Sequence, residues 1–197
     1  MGELILVTGG ARSGKSSFAE SLLQSEEKVC YIATSTVAPN DAEMQERVRK
    51  HQEQRPKEWH TEERFTGIGE YLSESGRFDA YLLDCATLLS TNYFYDAMVK
   101  RFGEDYTKID QVISQFNELE KQDIEQEILK EWQAILTAVS SLKGKMIVVT
   151  NEVGLGIVPE QSFSRWFRDV YGHVNQLLGC ASDEAYLVVS GIPVKIK

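Results

Sequence analysis

The eight residues GGARSGKS at positions 9–16 constrain this chain more than any other feature. They follow the apolar run LILVT that begins at Leu4, and they precede a stretch in which Phe18, Ala19, Leu22 and Leu23 fall at helical spacing. Gly9, Gly14, Lys15 and Ser16 fit G-x-x-x-x-G-K-[ST], and a strand before it with a helix after it is the context that this motif requires. A loop of this composition bends so that successive backbone N–H groups point inward, toward an anion held at the helix N-terminus. Lys15 is then expected to reach the β- and γ-phosphates of a nucleoside triphosphate, with the Ser16 hydroxyl on Mg²⁺. A chance match in a glycine-rich turn is the bland alternative, and both flanking elements count against it.

Five short runs rich in β-branched and aromatic residues punctuate the sequence: LILVT from Leu4, VCYIAT from Val29, AYLLDC from Ala80, MIVVT from Met146 and AYLVVS from Ala185. Each is nearly continuous in apolar side chains rather than alternating, which suits strands covered on both faces, and helical stretches lie between most of them. The expected fold is α/β, a mainly parallel central sheet flanked by helices. In such sheets ligands gather at the carboxyl ends of strands. Asp84, which closes AYLLDC, is on that ground the best carboxylate to complete a Mg²⁺ site with Ser16, whereas taken alone it would read as a turn or cap residue. Thr150, Asn151 and Glu152 end another run and are expected to face the same crevice. The guanine-reading Asn-Lys-x-Asp of switch GTPases does not occur.

No internal repeat, low-complexity tract or linker interrupts the sequence, so residues 1–197 read as one domain. The polar segment from Asp41 to Arg55 is helix-compatible and ends at Pro56. From Glu104 to Leu142 an acidic stretch carries Ile109, Val112, Ile113, Phe116, Leu119, Ile124, Ile128, Trp132, Ile135, Leu136 and Val139, the pattern of one or two amphipathic helices. A formal charge of -9 repels a polyanion, which argues against nucleic acid as a partner. The start MGELILVTGG has no basic region before its short apolar run, so it reads as neither signal peptide nor membrane span, and the expected location is cytoplasmic. Cys30, Cys85 and Cys180 lack CxxC spacing and are expected to be reduced thiols in the core.

Arg47, His51 and Arg55 are four residues apart, so a helix would carry all three on one face. Two guanidiniums beside an imidazole disfavour its protonation, leaving it neutral and nucleophilic, and they also attract a polyphosphate. Spacing alone leaves open the alternative of a surface histidine on a solvated helix. His60 and His173 have no comparable setting.

Taken in order, GGARSGKS, YIATS, RVRKHQEQRPKEWHTEE, LLDCATLL, VTNEVGLGIVP, FRDVYGHVNQLL and DEAYLVVSGIPVKIK resemble the bifunctional adenosylcobinamide kinase and adenosylcobinamide-phosphate guanylyltransferase family of cobalamin biosynthesis. The resemblance implies a RecA-like P-loop fold, a homotrimer, and a corrinoid substrate used with ATP or GTP and Mg²⁺. It implies phosphorylation of the aminopropanol hydroxyl of adenosylcobinamide, followed by transfer of GMP from GTP to that phosphate. The histidine of the family's R-x-x-x-H-x-x-x-R-P stretch carries the guanylyl group, and here that position is His51. Carried over by position, Lys15 and His51 are catalytic, and Ser16 and Asp84 hold the metal. The nucleotide contacts become Gly9, Gly10, Ala11, Arg12, Ser13, Gly14, Lys15, Ser16, Ala33, Thr34, Ser35, Gln52, Glu53, Gln54, Arg55, Glu63 and Asp84. The chain departs from many relatives at Asp-Cys-Ala-Thr, where they carry Leu in place of Ala86, and in a longer acidic stretch around residues 104–130. Two other classes remain compatible with the residues: a simple P-loop small-molecule kinase with an inert His51, and a non-enzymatic P-loop regulator.

Overall fold

The computed structural model describes residues 2–26, 28–35, 46, 49, 56–75, 78–103 and 106–197. Its strands are β1 (Glu3–Gly9), β2 (Val29–Ala33), β3 (His60–Glu63), β4 (Ala80–Asp84), β5 (Lys145–Val149), β6 (Glu184–Val189) and β7 (Ile192–Lys195). Its helices are α1 (Lys15–Ser21), α2 (Ile68–Ser75), α3 (Ala86–Phe102), α4 (Tyr106–Ser114), α5 (Glu118–Ser140) and α6 (Ser162–Ala181), with a 3₁₀ turn at Val153–Leu155. The strands form one sheet in the order β3-β2-β4-β5-β1-β6-β7. Every neighbouring pair is parallel except β6 with β7. This is the P-loop α/β architecture expected, with β5 lying between the phosphate-loop strand β1 and the Asp84 strand β4.

The five apolar runs are the five interior strands. Leu4 and Leu6 of β1 join Tyr81, Leu83, Met146 and Val148 in a core that α2, α3, α5 and α6 cover. Ile5 and Val7 point the other way and pack with Leu82, Ile147, Val149 and, from α1 and the turn after it, Ala19 and Leu23. Burial on both faces explains why β1, β2, β4 and β5 read as continuous apolar runs, whereas β6, beside the exposed strand β7, is only partly covered. The two edge strands have no such signature. β3 is HTEE and β7 is IPVK, both largely exposed, and they owe their strand form to a neighbour rather than to their own pattern. β7 returns along β6 through Ser190 (φ 53°) and Gly191 (φ 81°), the two positive φ values that a tight two-residue hairpin needs.

The acidic stretch resolves into α4 and α5. Asn117 caps α5 in a capping box with Glu120, and Ile124, Ile128, Trp132, Ile135, Leu136 and Val139 are buried along one side. Trp132 Nε1 donates to Ser90 Oγ of α3 at 2.9 Å, so the one polar atom of this buried indole is satisfied. Leu119 falls on the solvent side and is 72% exposed.

One expectation needs correction. Cys30 and Cys85 are buried, but Cys180 is exposed near the end of α6, where the apolar stripe of the helix has rotated away from it. Burial raises the thiol pKa of both Cys30 and Cys85, which further suppresses the thiolate that reacts with disulfide reagents. A thiol titration of the native protein at neutral pH is therefore expected to consume one equivalent of reagent rapidly, at Cys180, with the other two thiols of the chain reacting only after denaturation.

Candidate active site

The phosphate loop is shaped by close backbone approaches. Gly9 ends β1, and a Cβ built there would lie 2.6 Å from both Ser13 Oγ and the Val188 carbonyl oxygen, so only glycine fits. Arg12 (φ 55°) and Gly14 (φ 90°) turn the chain through left-handed conformations before α1 starts at Lys15. Lys15 Nζ donates to the Gly10 carbonyl at 3.1 Å, which keeps the ammonium over its own loop. From below, the β6–β7 turn braces the loop. Gly191 N donates to the Ser13 carbonyl at 2.8 Å, and the Cα of Gly191 stands 3.1 Å from where a Cβ on Gly14 would be.

Beside this loop the carboxyl ends of the parallel strands line up in register. Glu63 pairs with Ala33, Ala33 with Asp84, Asp84 with Val149, and Val149 with Val7, two residues before the loop. Asp84 is half-buried, and Tyr31 of β2 donates its hydroxyl to Asp84 Oδ2 at 3.1 Å. Thr34 is fully buried: its Oγ1 donates to the Cys85 carbonyl at 2.9 Å and accepts from Cys85 N at 2.8 Å, while Asn92 Nδ2 donates to the Thr34 carbonyl at 2.6 Å. Burial is the main cause of the raised Cys85 pKa, the Asp84 carboxylate adds to it, and the Lys15 ammonium opposes it.

A polar network continues past β5. Glu152 N donates to the Gly9 carbonyl at 3.3 Å, and Glu152 Oε1 accepts from Thr8 Oγ1 at 3.0 Å and from Asn175 Nδ2 of α6 at 3.3 Å. Asn175 also donates to the Asn151 carbonyl at 3.0 Å and accepts from Thr150 Oγ1 at 2.7 Å. Asn151 Nδ2 reaches Thr87 Oγ1 at 2.8 Å, and Tyr171 OH donates to the Thr87 carbonyl at 2.5 Å. Thr150, Asn151 and Glu152 thus lie at the same end of the sheet as the phosphate loop, with Thr150 itself buried.

The sequence profile described as "Cobinamide kinase / cobinamide phosphate guanyltransferase" matches residues 5–196. The chain belongs to this family. It is 43% identical over 195 residues to the bifunctional adenosylcobalamin biosynthesis protein CobU of Escherichia coli (strain K12), covering 98% of this chain and 99% of that protein. It is 41% identical over 197 residues to the protein of the same name from Salmonella typhimurium, with the same coverage. The bifunctional adenosylcobalamin biosynthesis protein CobP of Pseudomonas aeruginosa is 33% identical over 196 residues, covering 98% of this chain and 96% of that protein.

Of the residues that the cobinamide kinase / cobinamide phosphate guanyltransferase resemblance singles out, Gly9–Ser16, Ala33–Ser35, Glu63 and Asp84 lie along one end of the sheet, with Glu63 exposed on its edge strand. His51, Gln52, Glu53, Gln54 and Arg55, together with Arg47, lie outside the described residues. The oxygen donors suited to a Mg²⁺ ion are the Ser16 hydroxyl and the Asp84 carboxylate. Among the described residues no group of three His, Cys, Asp or Glu side chains gathers for a metal, and Mg²⁺ bound mainly through water and substrate phosphates needs only one or two protein ligands. Sequence reasoning missed Tyr31, Thr8, Thr87 and Asn175, whose roles arise from contacts between distant segments. Gly9→Ala is expected to weaken GTP binding by about tenfold or more, as measured by titration calorimetry, because its Cβ forces Ser13 out of the loop conformation.

Proposed function

We propose that this chain phosphorylates the aminopropanol hydroxyl of adenosylcobinamide with ATP or GTP, then transfers GMP from GTP to the resulting phosphate, giving adenosylcobinamide-GDP. The observation that carries this reading is the alignment of a phosphate loop at the end of β1 with a strand-end carboxylate, Asp84 of β4, across the intervening strand β5 at one end of the sheet. Family membership supplies the substrates, since the family description gives both activities and the relatives are named bifunctional proteins of adenosylcobalamin biosynthesis.

In the phosphorylation step the loop N–H groups hold the triphosphate, and Lys15 balances charge on its β- and γ-oxygens as the terminal phosphoryl group moves. Mg²⁺ held by Ser16 and Asp84 would supply further charge neutralisation there. The Tyr31 hydroxyl donates to Asp84 Oδ2 and so helps to orient the carboxylate. In the nucleotidyl step a neutral His51 nitrogen attacks the α-phosphorus of GTP and pyrophosphate leaves. A phosphate oxygen of the cobinamide then displaces the imidazole, so one substitution is divided into two. Arg47 and Arg55, four residues either side of His51, suit the polyphosphate. The same reading takes residues 1–197 as one domain, the assembly as a homotrimer and the location as cytoplasmic. Among the described residues no helix is long and apolar enough to cross a membrane.

Lys15→Ala is expected to reduce phosphorylation of adenosylcobinamide by about three orders of magnitude, measured by transfer of label from γ-labelled nucleotide, because an interaction strengthened in the transition state is lost. Near-normal turnover in the folded variant would remove Lys15 from the mechanism. Incubation with α-labelled GTP and Mg²⁺, without acceptor, should leave an acid-labile, base-stable GMP adduct that peptide mass analysis maps to His51. His51→Ala should lack the adduct and form no GDP derivative while still phosphorylating adenosylcobinamide. Full guanylyl transfer by that variant, or label on another residue, favours a simple kinase with an inert histidine.

A further inference from the structure

Phosphoryl transfer to an alcohol needs a group to take the hydroxyl proton, and of the carboxylates at this end of the sheet Asp84 and Glu152, both half-buried, are not equivalent, while Glu63 is exposed on the edge strand. Asp84 lies on β4, separated from the phosphate-loop strand by β5, and in the kinase reading it is already engaged in holding Mg²⁺. Glu152 is joined directly to the start of the loop, since its backbone N–H donates to Gly9 and its Oε1 accepts from Thr8, the residue before the loop. Lys15 Nζ, which marks the β/γ end of a bound triphosphate, rests on the adjacent Gly10 carbonyl. Both bonds to the Glu152 carboxylate, from Thr8 and from Asn175, fall on Oε1, and no described residue donates to Oε2. Glu152 is half-buried, and the loop that follows it exposes Leu155, Ile157 and Val158. Its carboxylate is thus tied to the start of the phosphate loop, and the segment that follows it carries exposed apolar side chains of the kind a bulky acceptor could rest on.

We infer that Glu152 is the general base of the phosphoryl-transfer step, held in place by Thr8 and Asn175 and acting through Oε2. The inference rests on the kinase reading given above. The acceptor O–H gives its proton to Glu152, and the oxygen forms a bond to the γ-phosphorus. The bond from that phosphorus to the β–γ bridging oxygen breaks, the nucleoside diphosphate leaves with the electron pair, and Glu152 releases the proton to solvent. The guanylyl step makes no such demand, because its acceptor is a phosphate monoester that is already an anion at neutral pH. A base is needed for one half of the reaction and not the other.

The test is Glu152→Gln, which keeps the shape and the oxygen that accepts from Thr8 but cannot take a proton. Its kcat for phosphorylating adenosylcobinamide should fall about a hundredfold or more with little change in the KM for nucleotide, the size of effect that general bases supply. Guanylyl transfer to adenosylcobinamide phosphate, measured on the same preparation, should change by less than about tenfold, which also shows that the variant is folded. Glu152→Asp, which retains the carboxylate, should recover part of the lost kcat. Phosphorylation by Glu152→Gln within about tenfold of the unmodified protein would overturn the inference. So would an equal fall in both activities, or a Glu152→Asp variant no better than Glu152→Gln, since either indicates a role in holding the loop. If the unmodified protein phosphorylates no cobinamide, the kinase reading itself fails, and the inference falls with it.

Discussion

Parallel pairing of strands buried on both faces is the constraint from which the site follows. Strands that run the same way end on the same side, and each parallel crossover places the next strand end beside the last. The pairings of Val7, Val149, Asp84, Ala33 and Glu63 therefore make a row of strand ends out of residues scattered over more than fifty positions on either side of Asp84. The chain's overall charge of -9 does not prevent an anion from binding at that row. The local field comes from backbone N–H groups and the Lys15 ammonium, which act at short range where the overall charge is screened.

Around Asp84 and Cys85 several polar groups are satisfied by one another. Tyr31, Thr34 and Asn92 come from β2, the segment after it and α3, and each donates to a carbonyl or carboxylate at the strand ends. A buried hydroxyl or amide left unpaired costs about 1–3 kcal/mol, so these bonds hold the rim rigid and favour a single arrangement of the carboxylate. The network of Thr8, Thr150, Glu152 and Asn175 does the same on the other side of the phosphate loop. Two rigid polar flanks thus enclose a loop whose own shape is set by glycine.

How much of this was legible in the sequence depended on whether a feature is local. The interior strands announced themselves because burial on both faces leaves a continuous apolar run, and the phosphate loop because its geometry demands glycine at fixed spacing. β3 and β7 were not legible, since an edge strand such as HTEE takes its form from the strand it joins rather than from its own side chains. Asp84 was legible from its place at a strand end, and Glu152 was placed at the rim by the same logic. The hold of Tyr31 on Asp84 and of Thr8 on Glu152 was not, because each partner lies in a different segment and no periodicity links them. Cys180 was misread as a core residue because a helix end can turn an apolar-looking position outward.

The brace beneath the phosphate loop also sets an order of events in the making of the protein. The loop is synthesised well before the groups that fix its shape, which come from much later in the sequence: Gly191 bonds Ser13, and Val188 flanks Gly9. β1 itself is flanked by β5 and β6, and Leu4 N donates to Asp183, 179 positions away. Contacts of such long sequence separation form late, because the intervening chain must first be closed into a loop. A growing chain on the ribosome would thus carry the phosphate-loop sequence without a formed phosphate cradle until the β6–β7 hairpin emerges.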